Sequence, residues 1–190
     1  MAGCGRSKGL PHAQQASRGG YDGLRRKGAA NGVCISGARV CEAESGLGVA
    51  VGRLDKASEG LLLLTNDSEW AARVLAPATH LDKIYHVQID RVADAALLES
   101  IAFGVNTEEG CVLRAKRVRI LRSGERNSWL EMVLDEGRNR HIRRMLELFE
   151  VKVLRLVRVA VGPLVLGQLP KGSVRPLTAA EKDVLDRAMN

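Results

Sequence analysis

"VGRLDKASEGLLLLTND", Val51–Asp67, sets a carboxylate, Asp55, between the apolar Leu54 and Lys56, beside Arg53, and then runs into four consecutive leucines. Bounded by turn residues, "GLLLLTN" reads as a strand, and "GVAVGRL" before it as another. An aspartate leading into so apolar a strand is either a solvated turn residue or one held for chemistry. Taken alone, the turn residue is the default reading. The rest of the chain has to decide.

Downstream the pattern stays regular. "DSEWAARVLAP" predicts a short helix capped by Asp67 or Ser68 and ended by Pro77. "KIYHVQID" alternates Ile84, His86 and Gln88 against Tyr85, Val87 and Ile89, a period-2 strand. "DAALLESIAFG" predicts a helix closing on Gly104, and the turn "RSGERN" joins two strands, "RAKRVRIL" and "SWLEMVL". "NRHIRRMLELFE" predicts a helix, "VKVLRLVRVAVG" is strand-rich, and "TAAEKDVLDRAM" predicts a final helix opened by a Thr178–Glu181 capping box. Strands mixed with helices without strict alternation argue for an α+β domain, a layered sheet with flanking helices.

The first 48 residues differ in texture. They hold 11 of the 20 glycines and little apolar periodicity, and read as a flexible basic segment with a weak strand around Gly32–Val40. The regular domain is expected over 49–190.

Composition narrows the function classes. At 190 residues the chain can bury a sizeable core. No apolar run reaches the length of a membrane span, and no secretory leader opens the sequence, so a cytoplasmic protein without a membrane partner is expected. Cys4, Cys34, Cys41 and Cys111 form no CxxC pair and have no histidine at zinc spacing, which points to free thiols and no metal. The glycines make neither a P-loop nor a GxGxxG, so no nucleotide cofactor is expected. The net charge of +7 suits a polyanionic partner. Arg114, Lys116, Arg117, Arg119 and Arg122 crowd one segment, and Arg138, Arg140, Arg143 and Arg144 another, the footprint expected for nucleic acid. With only 3% aromatic residues, a broad base-stacking platform is not expected.

Individual residues can be weighed against these limits. In the helix after "LDEGRN", Ile142, Met145, Leu146 and Phe149 make one apolar stripe, with Arg140 and Arg144 opposite and Arg143 on the flank. A flank arginine is either an ordinary surface pair or one met by a carboxylate or phosphate. Gly137 suggests a tight turn that brings Arg138 and Arg140 toward phosphates. Tyr85 in a half-buried strand is by default structural, and His86 and His141, which belong to no recognisable nucleophile triad, read as structural or RNA-contacting.

Three blocks in order, "GRLDKASEGLLLLTND", "DKIYHVQI" and "DEGRNRHIRRML", resemble the pseudouridine synthases of the RsuA/RluB/RluE group acting on ribosomal RNA, and "LVRVAVGPLVLGQLPKGSVRPLT" is similar to that group's last segment. The resemblance covers about residues 49–178. It implies a mixed, largely antiparallel central sheet flanked by helices, and isomerisation of uridine to pseudouridine without cofactor or metal by a monomer. Asp55 would be the essential aspartate acting on the flipped uridine, as nucleophile or base. Tyr85 would lie against the uracil, and Arg143 would pair with Asp55. Arg53 would enter the stack vacated by the base, and Lys83, Arg138, Arg140 and Arg144 would contact RNA. A base within paired RNA must leave the stack before its glycosidic bond can be worked on, which suits this division of roles.

The chain departs from that group at the start, where an S4-type RNA-binding domain and a Lys-Pro strand are usual. It also has Ser68 where glycine is common and His141 where glutamine is common. The expectation for residues 1–48 is a divergent or truncated N-terminus. Two further readings stay open: an RNA-binding protein with impaired catalysis, and an aspartate-based hydrolase of a small substrate.

Overall fold

The structure is a computed structural model that describes residues 31–35, 48–107 and 109–190. Of the flexible segment expected over 1–48, with its weak strand around Gly32–Val40, only 31–35 and 48 are among the described residues. The strands are β1 (Asn31–Ile35), β2 (Val49–Val51), β3 (Glu59–Thr65), β4 (Lys83–Ile89), β5 (Val105–Asn106), β6 (Val112–Leu113), β7 (Arg117–Ser123), β8 (Ser128–Leu134), β9 (Val153–Val161), β10 (Leu164–Val165) and β11 (Val174–Pro176). The helices are α1 (Ser68–Leu75), α2 (Ala95–Phe103), α3 (His141–Leu148) and α4 (Ala179–Ala188).

The four leucines explain the centre of the sheet. In β3 every residue after Glu59 is buried. Leu61 and Leu63 pack with Trp70, Val74 and Leu185, whereas Leu64 belongs to a separate cluster with Ala50 and Val174. A strand covered on both faces needs a continuous apolar run rather than an alternating one. Each leucine removed from water in this way stabilises the fold by about 1.5–3 kcal/mol.

The main sheet runs in the order β11-β1-β3-β9-β4-β8-β7, with β2 added on β3 and β10 on β9. Pairing is antiparallel throughout the described residues except between β3 and β9, where Glu59 faces Val157 and Gly60 faces Arg158. A mixed, largely antiparallel sheet with helices is the α+β architecture expected from the pattern. β1 inserts between β3 and β11, so a strand from before residue 49 belongs to the same sheet.

Two core clusters flank the sheet's middle. Val87, Ile89, Leu130, Met132 and Leu134 pack under α2 and α3 through Leu97, Ile101, Ile142, Met145 and Leu146. Val51, Leu61, Leu63 and Val161 pack under α1 and α4 through Trp70, Val74 and Leu185. The Trp70 indole N–H donates to Asp186 at 2.8 Å and ties α1 to α4. The local signals read from the sequence account for the helix ends. Asp67 caps α1 by accepting from the Glu69 and Trp70 amides, and α2 stops at Gly104, whose φ is 96°. Thr178 and Glu181 form the reciprocal capping box of α4. No helix among the described residues is long and apolar enough to cross a membrane.

Candidate active site

Between the two core clusters a cavity of about 690 Å³ opens on the sheet, walled by Leu63, Val51 and Val74 on one side and by Leu134, Ile142 and Leu156 on the other. That size suits a nucleotide. Asp55, Tyr85, Arg53, Lys83, Arg138 and Arg140 all line it. Residues drawn from the β2–β3 connection, from β4 and from the loop before α3 thus meet in one place, although up to 87 positions separate Arg53 from Arg140.

Asp55 sits in a turn closed by the Ser58 amide, which donates to the Asp55 carbonyl at 2.8 Å. The expected ion pair between Asp55 and Arg143 is not formed. Arg143 instead donates from Nη2 to the Ala57 carbonyl at 2.6 Å and from Nη1 to the Val153 carbonyl at 3.4 Å. The reason is positional: on the flank of α3 the guanidinium meets the backbone of the turn before it reaches the carboxylate. Arg143 therefore grips the turn that carries Asp55 rather than Asp55 itself. Arg144 lies outside the cavity wall and pairs with Glu109 at 3.0 Å.

The alternation leaves open whether Tyr85 or His86 faces the core; Tyr85 does, with Val87 and Ile89, and packs against the α2/α3 cluster. Across the β4–β9 ladder it stands opposite Arg158. Lys83 is half-buried at the cavity wall. Burial first, and then repulsion from Arg158, hold its ammonium below the ordinary lysine range. Arg138 pairs with Glu136, which also lines the cavity. Arg140 adopts a left-handed backbone, φ 48°, at the start of α3. The other arginine cluster lies elsewhere: Arg117 and Arg119 meet Glu131, and Arg122 stacks over Trp129 at 5.2 Å from the ring centre.

Among the polar residues of the cavity, Arg158, Ser58, His80, Asp135 and Glu136 were given no role from the sequence. Arg158 is buried in β9 with its Nε donating to the Leu61 carbonyl at 2.7 Å. The available signal was one arginine inside the apolar "LVRVAV", which strand periodicity alone does not assign to a site. His141, read as structural or RNA-contacting, lines the cavity, is buried with neither ring nitrogen hydrogen-bonded, and is held below the ordinary histidine range by that burial. No group of side chains among the described residues could hold a metal ion.

The mixed sheet thus carries carboxylates, a tyrosine and several cations in one nucleotide-sized cavity, and comparison with known proteins gives the family. Residues 41–148 match the RNA pseudouridylate synthases, and the chain belongs to that family. It is 40% identical over 139 residues to an RNA pseudouridine synthase of Aquifex aeolicus, covering 73% of this chain and 55% of that one. It is 37% identical over 138 residues to ribosomal large subunit pseudouridine synthase B of Escherichia coli O157:H7, covering 72% and 47%. A crystal structure of a pseudouridylate synthase superposes with a TM-score of 0.69 at 25% identity, covering 83% of this chain and 74% of that one. The chain spans about half the length of the curated relatives it matches.

Proposed function

We propose that this protein isomerises specific uridines of ribosomal RNA to pseudouridine, acting as a monomer in the cytoplasm. The observation that carries the reading is the convergence of Asp55, Tyr85 and five cations, Arg158 among them, in one cavity of nucleotide size. In this reading the target uridine leaves the RNA stack and enters the cavity, where apolar walls receive the base. Arg53, at the cavity's edge, fills the space the base leaves. Asp55 acts on the sugar–base unit as nucleophile or base. The base detaches from C1′, turns over and rejoins through C5, and Tyr85 lies against it and helps remove the C5 proton. The proton lost from C5 is balanced by one gained at the freed N1, so the composition of the RNA is unchanged and neither hydride nor phosphoryl donor is required.

Arg138 and Arg140, which line the cavity, meet the phosphate backbone, and Arg144, outside the cavity wall and paired with Glu109, adds a further contact to RNA. The likeness to ribosomal large subunit pseudouridine synthase B favours ribosomal RNA over other RNAs. The test is to incubate protein-free ribosomal RNA with the chain and map pseudouridine by carbodiimide adducts and primer extension. New stops at discrete uridines are expected. RNA binding without any new stop would favour the alternative, an RNA-binding protein of this family that does not turn over.

A further inference from the structure

Arg158 is the cation in the cavity whose presence the roles above leave unexplained. It is 8% exposed, and among the described residues no carboxylate forms an ion pair with it. Its Nε is committed to the Leu61 carbonyl, so the two terminal nitrogens are left for whatever occupies the cavity. A buried guanidinium is costly unless an anion meets it. The backbone around it is also closely held. Gly60 stands opposite Arg158 with a φ of 119°, and a Cβ there would lie 2.2 Å from the Arg158 carbonyl oxygen. β3 and β9 therefore approach as closely as they can at the residue that points a cation at the cavity.

Two neighbours share the requirement. Lys83, on the adjacent strand, lines the same cavity, where burial and Arg158 disfavour its charge by more than Asp82 and Asp135 favour it. Ser58, 7% exposed, lines the cavity with a hydroxyl that has no hydrogen-bond partner. Two cations that repel each other and an unpartnered hydroxyl, all lining one cavity, make a site that an anion would complete. A planar guanidinium fork with an ammonium beside it matches phosphate oxygens.

We infer that Arg158, Lys83 and Ser58 form a phosphate seat inside the cavity, which takes the phosphodiester bordering the target uridine. The inference rests on the functional reading above and deepens it. The cavity would grip a nucleotide by its phosphate as well as its base, so a free nucleoside would be a poor ligand.

The test compares binding of uridine, uridine 5′-monophosphate and uridine 3′-monophosphate by calorimetry at fixed ionic strength. The proteins are wild type, Arg158→Gln, Arg158→Lys and, as a charge-matched control on an exposed turn, Arg126→Gln. Wild type and Arg126→Gln are expected to prefer one of the monophosphates to uridine by about tenfold or more. Arg158→Gln should bring that ratio below about 2 with uridine affinity unchanged, and Arg158→Lys should keep part of it. If Arg158→Gln does not fold, Arg158→Lys alone decides, because an undiminished ratio in it would show that no guanidinium is needed. Equal binding of uridine and both monophosphates by wild type, or a ratio that survives in Arg158→Gln, overturns the seat. Those outcomes leave the synthase reading intact, whereas absence of pseudouridine in treated ribosomal RNA overturns that reading without touching the phosphate preference.

Discussion

The Arg143 guanidinium donates to the Ala57 carbonyl at 2.6 Å, tying α3 to the turn that carries Asp55 two residues earlier. The hydrogen bond spans 86 positions of sequence and joins two blocks that the local pattern shows only separately. An arginine that holds the turn acts on Asp55 through geometry. Replacing it should shift the carboxylate without removing it.

Arg143→Leu is therefore expected to lower pseudouridine formation by about a hundredfold, the scale of a displacement of about 1 Å at a reacting group. RNA affinity should stay within about threefold, because Arg143 does not line the cavity. Single-turnover rates beside filter-binding constants check this. A loss confined to affinity would contradict it.

Gly60→Ala tests the close approach of β3 and β9. The added Cβ would lie 2.2 Å from the Arg158 carbonyl oxygen and 2.6 Å from its amide nitrogen, both backbone atoms that cannot swing aside. Overpacking at a position that also needs positive φ should destabilise the fold by about 2–3 kcal/mol. Urea unfolding of the two proteins measures it, and Gly110→Ala, with open space around it, should lose less.

Much of the fold was legible. Helix starts at Asp67 and Thr178 and the stop at Gly104 follow from local hydrogen bonds and backbone freedom, and the Tyr85–Val87–Ile89 face follows from strand periodicity. The parallel pairing of β3 with β9 was not, because nothing in the sequence around Glu59 specifies a partner almost a hundred positions away. The same division holds at the site. Asp55, Tyr85 and the cations at 53, 83, 138 and 140 could be picked out because their blocks resemble a family. The direction in which Arg143 reaches could not, since a long side chain on a helix flank goes to whichever acceptor the tertiary structure brings nearest. Arg158 stayed hidden among the hydrophobic residues of β9 for a related reason: only the neighbouring strands reveal what lines a cavity.

The phosphate contacts should appear in the salt dependence of RNA binding. Arg138→Gln and Arg140→Gln should each weaken binding and reduce the slope of log K against log salt by about 0.7–0.9, the change expected when one fewer phosphate is neutralised. Arg187→Gln, on the far C-terminal helix, should leave the slope unchanged. Equal slopes in all three variants would place the RNA elsewhere.

Acid should loosen the C-terminal helix. Hydrogen bonds from Arg175, and then from the Thr178 amide, lower the Glu181 carboxyl from its ordinary 4.5 to about 2. A depressed carboxyl contributes stability that is complete above 4.5 and is lost as pH falls toward 2. Glu181→Gln retains the cap geometry and removes the charge. It should cost up to about 1 kcal/mol at about pH 6, since solvent screens this partly exposed pair. The difference from wild type should shrink at about pH 2.5, and urea titrations at both pH values read it.

The most direct measurement is tritium release from ribosomal RNA labelled at uridine C5, with wild-type protein and Asp55→Asn side by side. Pseudouridine formation replaces the C5–H bond, so every turnover frees one label. Wild type is expected to release tritium and Asp55→Asn to release none while keeping its circular dichroism spectrum and RNA affinity. Equal release by both proteins would contradict the role of Asp55. No release by a folded, RNA-binding wild type would contradict the synthase reading.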